Sequence, residues 1–322
     1  MKPYQYLKQI TTIIPELARQ ANCSPLQMYL NFSFSFLFHH TSIYDFQNLH
    51  LYKYSILGQS GFLTFRQQTK LIQNINHTAD LHNFDNKLNF HRLFAPFIHR
   101  DWLYLPDASE ADIRAFLSRN QKFLLKPTHE CQGSGILLFL QEGLDPAEFL
   151  AKYAQKPYLM EAYIAQHPAM AALNPTSVNT VRIVSVRRGD EVMLLGAGLR
   201  CGGKDSYVDN FHNGGSAYPI DIETGIVTGS GRCQRHNKPL LYSPAGQIMP
   251  GFVIPHWDIL KESVRRAALI QDEVGYIAWD VAITEDGVEF VEFNVGATGI
   301  TVIQMNNTDL GVKLKTFLRD NA

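Results

Sequence analysis

The chain has 322 residues, of which 45% are hydrophobic, so it can bury one large core or two smaller ones. Its formal net charge is −1, which argues against a general binder of nucleic acid or of another polyanion. None of its four cysteines forms a Cys-x-x-Cys pair, which argues against a zinc ribbon or a disulfide framework and favours a reduced, cytoplasmic setting.

The first part of the chain, residues 1–84, is predicted to be mainly helical. Its segments YLKQITTIIPELARQ and FLTFRQQTKLIQNINHTADLHNF have the apolar spacing of helices, and the N-terminus is amphipathic rather than a signal peptide. The aromatic residues Phe32, Phe34, Phe36 and Phe38 fit either a membrane contact or a buried helix, and the buried helix is favoured. No apolar run approaches the ~20 residues that span a bilayer, so we expect a soluble protein without a membrane span.

From about residue 120 the sequence changes to short strand patterns. Helical patterns lie between some of them, at DASEADIRAFLSRN and from Asp258 onward. Strands joined by short turns, with helices between the pairs, predict a layered α+β domain. The sequence has no strict β-α-β-α alternation, no G-x-G-x-x-G and no Walker A motif, which argues against a Rossmann fold. The predicted strands are FLLKP, GILLFL, YLMEAYI, NTVRIVSVRR, EVMLLGAGLR, YIAWDVAIT and VEFVEFN.

The segment WDVAITEDGVEFVEFN is predicted to be a β-hairpin that carries two acids among apolar residues. If residues 285–287 form the loop, with the glycine in the left-handed position of a G1 bulge, Thr284 pairs with Val288. In that register Asp280 lies directly opposite Glu292. The other face, directed toward a core, then carries Trp279, Val281, Ile283, Val291 and Phe293.

The acidic face of this hairpin predicts a metal site. Asn294 shares the face of Asp280 and Glu292 by the two-residue period of a strand. Two like charges placed opposite each other destabilise a sheet unless a cation relieves them, and an all-oxygen set of this kind suits Mg²⁺. Two alternatives stay open: a solvated acidic strip near a sheet end, or a two-residue loop that would place the acids on opposite faces.

Further motifs carry groups that are suited to a phosphate-bearing ligand. Small residues in a turn let backbone N–H groups approach phosphate oxygens, a nearby lysine adds a point charge, and a carboxylate can accept from a ligand amine or hydroxyl. Taken singly, each motif also has a plainer explanation, such as a hairpin turn, a rim residue, a structural ion pair or a polar loop. The motifs contain, in chain order, Lys126, Gly133, Ser134, Gly135, Glu161, Arg182, Asp209 and Asn210.

Taken together in this order, the motifs resemble those of the ATP-grasp superfamily, most closely the sugar-transfer-associated ATP-grasp family, which is related to glutamate ligases. The resemblance covers about residues 85–310, and its most specific part is the Asp-x11-Glu-x-Asn spacing of the hairpin. It implies an ATP-grasp fold, in which two α+β subdomains hold the nucleotide between them. The motifs that carry it are DNKLNFHRLF, LLKPTHECQGSGI, LMEAYIAQHP, SVNTVRI, VDNFHNGG and AWDVAITEDGVEFVEFNVG.

The same resemblance implies roles for individual residues, and it implies ATP and Mg²⁺ as cofactors, with two ions and with Mn²⁺ as a substitute. The implied metal ligands are Asp280, Glu292 and Asn294. The implied nucleotide-binding residues are Lys87, Lys126, the flap residues Gly133, Ser134 and Gly135, and Glu161 at the hinge. The implied catalytic residues are Arg182, Asp209 and Asn210. The flap departs from the family pattern at residues 129–131, where smaller or more basic residues are expected.

The resemblance finally implies a domain organisation and an activity. A helical region at 1–84 precedes an ATP-grasp domain at 85–322, which is divided into subdomains 85–160 and 161–322. The implied enzyme is a carboxylate–amine ligase that forms an acylphosphate and joins an amine or amino acid to a carboxylated sugar or another acid, in surface-polysaccharide or related biosynthesis. An ATP-grasp kinase and a non-catalytic nucleotide-binding module stay open as alternatives. The expected partners are small or sugar-linked carboxylates and amines, not nucleic acid, and the oligomeric state stays open.

Overall fold

The structure, a computed structural model, describes residues 3–76, 84, 86–129, 135–203, 214–233, 236–296, 303–304 and 309–321. The α-helices of this part of the chain are α1 (Pro3–Gln20), α2 (Pro25–His39), α3 (Ile43–Asn48), α4 (Phe65–Ile75), α5 (Lys87–Leu93), α6 (Glu110–Arg119), α7 (Pro146–Tyr153), α8 (Pro168–Ala171), α9 (Trp257–Ala268) and α10 (Leu310–Asp320). Its β-strands are β1 (Trp102–Tyr104), β2 (Lys122–Pro127), β3 (Leu137–Leu140), β4 (Tyr158–Ala162), β5 (Thr180–Arg188), β6 (Glu191–Cys201), β7 (Ser216–Ile220), β8 (Gly231–Cys233), β9 (His236–Leu240), β10 (Tyr276–Ile283) and β11 (Val288–Asn294).

The chain forms two compact units, and the first consists of Met1–His77 together with Gly296–Ala322. It is built from helices α1–α4 and α10. Helices α2, α3 and α4 each begin with a capping box, in which Ser24, Ser42 and Thr64 accept from the backbone three residues further on. The predicted mainly helical character of the N-terminal region is confirmed. The core of the unit includes Ile14, Leu17, Met28, Phe32, Phe46 and Phe62.

The second unit, Thr78–Val295, contains two antiparallel sheets. The smaller sheet has the strand order β1-β4-β2-β3, and the larger has the order β11-β10-β5-β6-β7-β8-β9. Helices α6 and α7 contribute Phe116 and Phe149 to a core shared with Phe123 of β2. Helix α9 contributes Leu260 and Val264 to the core of the larger sheet. Helices cover apolar sheet faces in both cases, and the predicted layered α+β class is confirmed.

All seven predicted strands are present, as β2–β6, β10 and β11. Strands β1 and β7–β9 were not predicted, and the assignment of the segment SAYPI to a loop is wrong, because it forms β7 with every residue buried. The loop assignment followed the Asp, Asn and Gly content of the stretch that contains this segment; Pro219 lacks an N–H but costs the ladder only one donor, and its carbonyl accepts from the Thr228 N–H. None of the helices in the described residues is both long and apolar enough to cross a membrane.

Candidate functional site

The hairpin of β10 and β11 has a longer loop than the sequence predicted. Ile283, rather than Thr284, pairs with Val288. The Thr284 N–H donates to the Gly287 carbonyl over 2.9 Å, so four residues form the loop. Gly287 has φ 153°, far from the left-handed value near +57°. The predicted three-residue loop with a G1 bulge is therefore wrong.

A β-bulge further along β11 compensates for this longer loop. Val281 pairs with Phe290, whereas the preceding Asp280 pairs with Glu292, so Val291 is the extra residue. The bulge shifts the register by one position and places the two acids opposite each other, as predicted. It also changes which residues point inward: Phe290 is fully buried in the core, and the predicted core position of Val291 is wrong because that residue is only half-buried.

Asp280, Glu292 and Asn294 lie on one face of the larger sheet. Asn294 follows Glu292 by two residues and pairs with Ala278, which leaves room beside it. The Nδ2 atom of Asn294 is buried and has no hydrogen-bond partner among the described residues. Because the two ends of an amide are distinguished only by their partners, turning this amide would place an oxygen at the same point. The face therefore offers two carboxylates and an uncommitted amide.

Two arginines flank Asp280 on the neighbouring strands. Arg182 lies directly opposite Asp280 on β5, where its Nε donates to Oδ1 over 2.8 Å and its Nη2 donates to Oδ2. Arg200 reaches from β6, the next strand, and its Nη1 donates to Oδ2 over 2.8 Å. The carboxylate of Asp280 is thus held by two guanidinium groups, and its side chain is 2% exposed. Both arginines keep part of their surface accessible on this face.

The two facing acids have pKa values that move in opposite directions. Burial alone would raise the pKa of Asp280, but the charges of Arg182 and Arg200 bring it well below its ordinary value. Burial, the negative charge of Asp280 and a hydrogen bond to it raise the pKa of Glu292 to about 7. With no cation present, the pair therefore shares a proton near neutral pH, and that proton resides on Glu292.

These residues fit a hard divalent cation. No group of three or more His, Cys, Asp and Glu side chains is arranged around a common point in the part of the chain that the structure describes. The set here has two carboxylates and one amide, which is the small number of protein oxygens that Mg²⁺ takes when phosphate and water complete its shell. The raised pKa of Glu292 shows that this face disfavours a second negative charge, which a cation would offset, and the Asn294 amide, once turned, offers an oxygen beside it.

A second cluster of charges is buried in the smaller sheet. Glu161 of β4 is 1% exposed, and its Oε2 accepts from Lys126 Nζ and from Arg100 Nε, each over 2.8 Å. Burial alone would raise the pKa of Glu161, but Arg100 and Lys126 hold it far below its ordinary value. The other oxygen, Oε1, has no hydrogen-bond partner among the described residues. Glu161 therefore holds the Lys126 side chain with Oε2, whereas Oε1 makes no hydrogen bond with the described residues.

Arg100 joins this cluster to the larger sheet. Its Nη1 donates to Glu289 of β11 and, over 2.7 Å, to the carbonyl of Phe290. Glu289 is 3% exposed and also accepts from the His99 N–H over 2.9 Å. Burial alone would lower the pKa of Arg100, but Glu161 and Glu289 raise it above its ordinary value. One guanidinium thus neutralises a carboxylate from each sheet.

His91 completes the buried cluster as a neutral side chain. Its Nδ1 lies 2.8 Å from the Lys87 carbonyl, and its Nε2 lies 3.1 Å from Arg100 Nη2. A carbonyl can only accept and a guanidinium can only donate, so the proton sits on Nδ1 and Nε2 accepts. Burial lowers the pKa of His91 to about 4, and the attraction of Glu161 only partly offsets this. The lysine at the start of α5 is thereby tied to Arg100.

These observations can be set beside known proteins. A family described as sugar-transfer associated ATP-grasp matches residues 66–317, more than three quarters of the chain. The chain belongs to this ATP-grasp family. No curated protein sequence matches it.

Among solved structures, the chain is similar to the ATP-grasp ligase PsnB in complex with a minimal precursor, at 14% identity and a TM-score of 0.48, covering 77% of this chain and 64% of that one. It is also similar to a carboxyaminoimidazole ribonucleotide synthase from Aspergillus clavatus in complex with ATP, at 14% identity and a TM-score of 0.42, covering 66% of this chain and 45% of that one. The chain therefore spans less than two thirds of the length of either. At these TM-scores the two similarities are not evidence about the function of this chain.

The site residues that the resemblance implies lie in the second unit, as far as the structure describes them. Lys87 begins α5, and its N–H donates to the Thr128 carbonyl over 3.3 Å, so it starts its helix where β2 ends and the flap begins. Gly135, the described residue of the predicted flap set, has φ 69°, a left-handed conformation that suits glycine. The expectations for Gly133, Ser134, Asp209 and Asn210 lie outside the described residues.

Four residues of these two clusters were not singled out from the sequence: His91, Arg100, Arg200 and Glu289. Arg100 precedes β1, a strand of only three residues that has too little pattern to detect. Arg200 could not be placed by an alternation count from the turn between β5 and β6, because a register shift between Val184 and Ser185 moves it to the face of Arg182. Glu289 could not be singled out, because its partner Arg100 lies 189 residues earlier in the chain.

Proposed function

We propose that the protein is an ATP- and Mg²⁺-dependent carboxylate–amine ligase that works through an acylphosphate. The observation that carries the proposal is the face on which Asp280, Glu292 and Asn294 meet Arg182 and Arg200. A ligase of this kind needs one place where a metal-bound triphosphate and an anionic acid substrate can lie side by side. Oxygen ligands and guanidinium groups on the same face meet both needs.

On this proposal the metal is held by Glu292 and Asn294, with Asp280 shared between the metal and the arginines. When bound, Mg²⁺ supplies positive charge that neutralises the triphosphate. We propose two ions, with Mn²⁺ able to substitute. Glu292 would hold the metal as a carboxylate, so metal binding would be favoured as Glu292 loses its proton.

Lys126 and Lys87 are proposed to contact the phosphate oxygens of the nucleotide. Lys126 is 7% exposed, and its Nζ is fixed by Glu161, so its direction is set before ATP arrives. The Oε1 atom of Glu161 lies 3.4 Å from His91 Nε2 and makes no hydrogen bond among the described residues, and it is proposed to accept from a donor on the adenine or ribose. The flap residues Gly133, Ser134 and Gly135 are proposed to cover the triphosphate and to keep water from the acylphosphate.

Arg182 and Arg200 are proposed to act on the acid substrate. The carboxylate of that substrate takes the γ-phosphoryl group of ATP, and an amine then displaces phosphate to form the amide. Negative charge develops on the acyl oxygen as the amine adds, and a guanidinium aimed at that oxygen stabilises it. Asp209 and Asn210 are proposed as further residues of the active-site loop. A carboxylated sugar or another acid of surface-polysaccharide or related biosynthesis, in the cytoplasm, is the proposed acceptor.

Trapping with hydroxylamine tests the proposal. The protein is incubated with ATP, Mg²⁺ and a panel of sugar acids and amino acids, with hydroxylamine in place of the amine, and hydroxamate and phosphate are measured. Hydroxamate formed in step with phosphate supports the acylphosphate. A stable phosphorylated product in the absence of any amine would instead identify a kinase. Binding of ATP without turnover on any acid or alcohol would identify a nucleotide-binding module.

A further inference from the structure

Helix α2 presents an apolar stripe to solvent. The buried residues of this helix, among them Met28 and Phe32, face the core of the first unit. On the opposite side, large apolar side chains recur every three or four residues within an arc of about 120°. We name this set the α2 outer stripe: Leu26 (69% exposed), Leu30 (51%), Phe34 (48%), Leu37 (66%) and Phe38 (67%).

The stripe is one contiguous apolar patch rather than a scatter of single apolar residues on the surface. Its exposed area is on the order of 500 Å², which matches the largest apolar patch of a typical monomer, and such patches are often functional. The rings of Phe34 and Phe38 stack on each other with centroids 6.1 Å apart, so the two side chains form one continuous apolar surface.

The chemistry of the helix favours a protein surface over a lipid surface. Helix α2 contains no Asp, Glu, Lys or Arg. A helix that lies in a membrane interface typically carries basic residues on its polar side, to reach the headgroups. The opposite side of α2 is instead packed into the core of its own unit. Aromatic side chains and a lack of charge are the usual composition of the centre of a protein–protein interface.

The stripe is also self-complementary. Leu26, Leu30, Phe34 and Phe38 form one ridge of residues four apart, and ridges of this type pack against each other at about −50°. When a second copy of the helix runs antiparallel about a two-fold axis near residue 32, Leu30 meets Phe34 and Leu26 meets Phe38. Two stripes would together bury about 1,000 Å², the lower limit for a specific interface.

We propose that the protein forms a homodimer through the α2 outer stripe, with the two copies of α2 antiparallel. Because the buried area is near that lower limit, the dimer dissociates on dilution. On this proposal a second copy of this chain covers the stripe, rather than a charged partner or a membrane.

The test measures the mass of the full chain by sedimentation across a concentration series. Wild type is expected to rise twofold in mass with concentration, and Phe34→Glu is expected to remain monomeric. Phe36→Glu is the matched control, because Phe36 is the same residue type on the same helix, is 49% exposed, and lies outside the stripe. If a glutamate variant does not fold, as judged by its circular dichroism, Phe34→Ser and Phe36→Ser replace the pair.

A mixing experiment tests the antiparallel arrangement. Leu30→Lys and Phe34→Glu are each expected to be monomeric alone, and an equimolar mixture is expected to restore a dimer, because lysine then faces glutamate across the axis. Wild type that stays monomeric at every concentration, or a dimer that Phe34→Glu leaves intact, would overturn the proposal. Monomeric protein that sediments with phosphatidylcholine vesicles would overturn it in favour of a lipid surface. A mixture that stays monomeric would overturn the antiparallel pairing.

Discussion

Arg100 and Glu161 form a buried ion pair in which the Nε atom of the arginine donates to Oε2 over 2.8 Å. Both side chains are at most 4% exposed. The same guanidinium contacts Glu289 and the Phe290 carbonyl on the larger sheet. Arg100 is therefore the one residue, among those described, that we find bonded to a carboxylate in each sheet of this unit.

Arg100→Ala should destabilise the protein strongly. It would leave the buried Glu161 and Glu289 without their shared cation, and breaking a buried ion pair from one side costs about 3–5 kcal/mol. Denaturant unfolding measures the free energy. Arg92→Ala is the control, because Arg92 pairs with Asp107 on the surface, where an ion pair contributes at most about 1 kcal/mol. Equal losses of unfolding free energy in the two variants would show that the buried ion pair contributes no more to stability than the surface pair.

Glu161→Gln should weaken ATP binding. The variant keeps its shape but loses the charge that fixes Lys126, and a charged hydrogen bond contributes about 1.5–3 kcal/mol, which is a loss of about tenfold or more in affinity. Glu289→Gln serves as the control, because it also weakens the contact to Arg100 but does not touch Lys126. Calorimetric titration with an ATP analogue compares them. A larger loss in Glu289→Gln would contradict the positioning of Lys126 by Glu161.

Glu292→Gln should lower turnover by about 100-fold while leaving the fold intact, because it removes a proposed metal ligand but not a structural ion pair. Asp280→Asn should also lower turnover, and in addition should cost stability, since it weakens the partner of two arginines. ATP turnover with a substrate acid and thermal unfolding are measured side by side. Asp286→Asn, in the exposed loop of the same hairpin, is the control. Full turnover in Glu292→Gln at saturating Mg²⁺ would refute the metal site.

The pKa of Glu292 predicts a pH dependence of stability in the absence of metal. The unfolded chain releases this proton near 4.5 and the folded chain near 7, so the folded state holds the extra proton between these values. Its contribution to the free energy of unfolding therefore falls as pH rises through that window. His91 acts in the opposite direction, since its pKa is lowered to about 4.

The difference in the free energy of unfolding between wild type and Glu292→Gln does not contain the contribution of His91, because both proteins have that residue. Relative to wild type, the variant should become more stable as pH rises from about 4.5 to about 7, and Mg²⁺ with nucleotide should reduce this difference. Unfolding is followed at several pH values with a chelator present. A difference between the two proteins that does not vary with pH would rule out the raised pKa.

The strands that carry the two acids could be predicted from the sequence, because the alternation of residues that marks a strand is a local pattern. The sequence predicted that Asp280 lies opposite Glu292, but from a loop that was one residue too short. A bulge at Val291, which the sequence pattern does not reveal, offsets the longer loop and restores the pairing of the two acids. The acids therefore face each other for a reason other than the predicted one. Arg100 could not be found in this way, because its partners lie 61 and 189 residues away and only tertiary folding brings them together.

The position of Arg100 also limits how the two sheets can move. A single side chain that bonds to both sheets resists sliding of one sheet past the other, because sliding would stretch every bond at once. An opening of this unit that separates the two sheets would therefore break the bonds of Arg100 to Glu161 or to Glu289, and either break would leave a buried carboxylate without its cation.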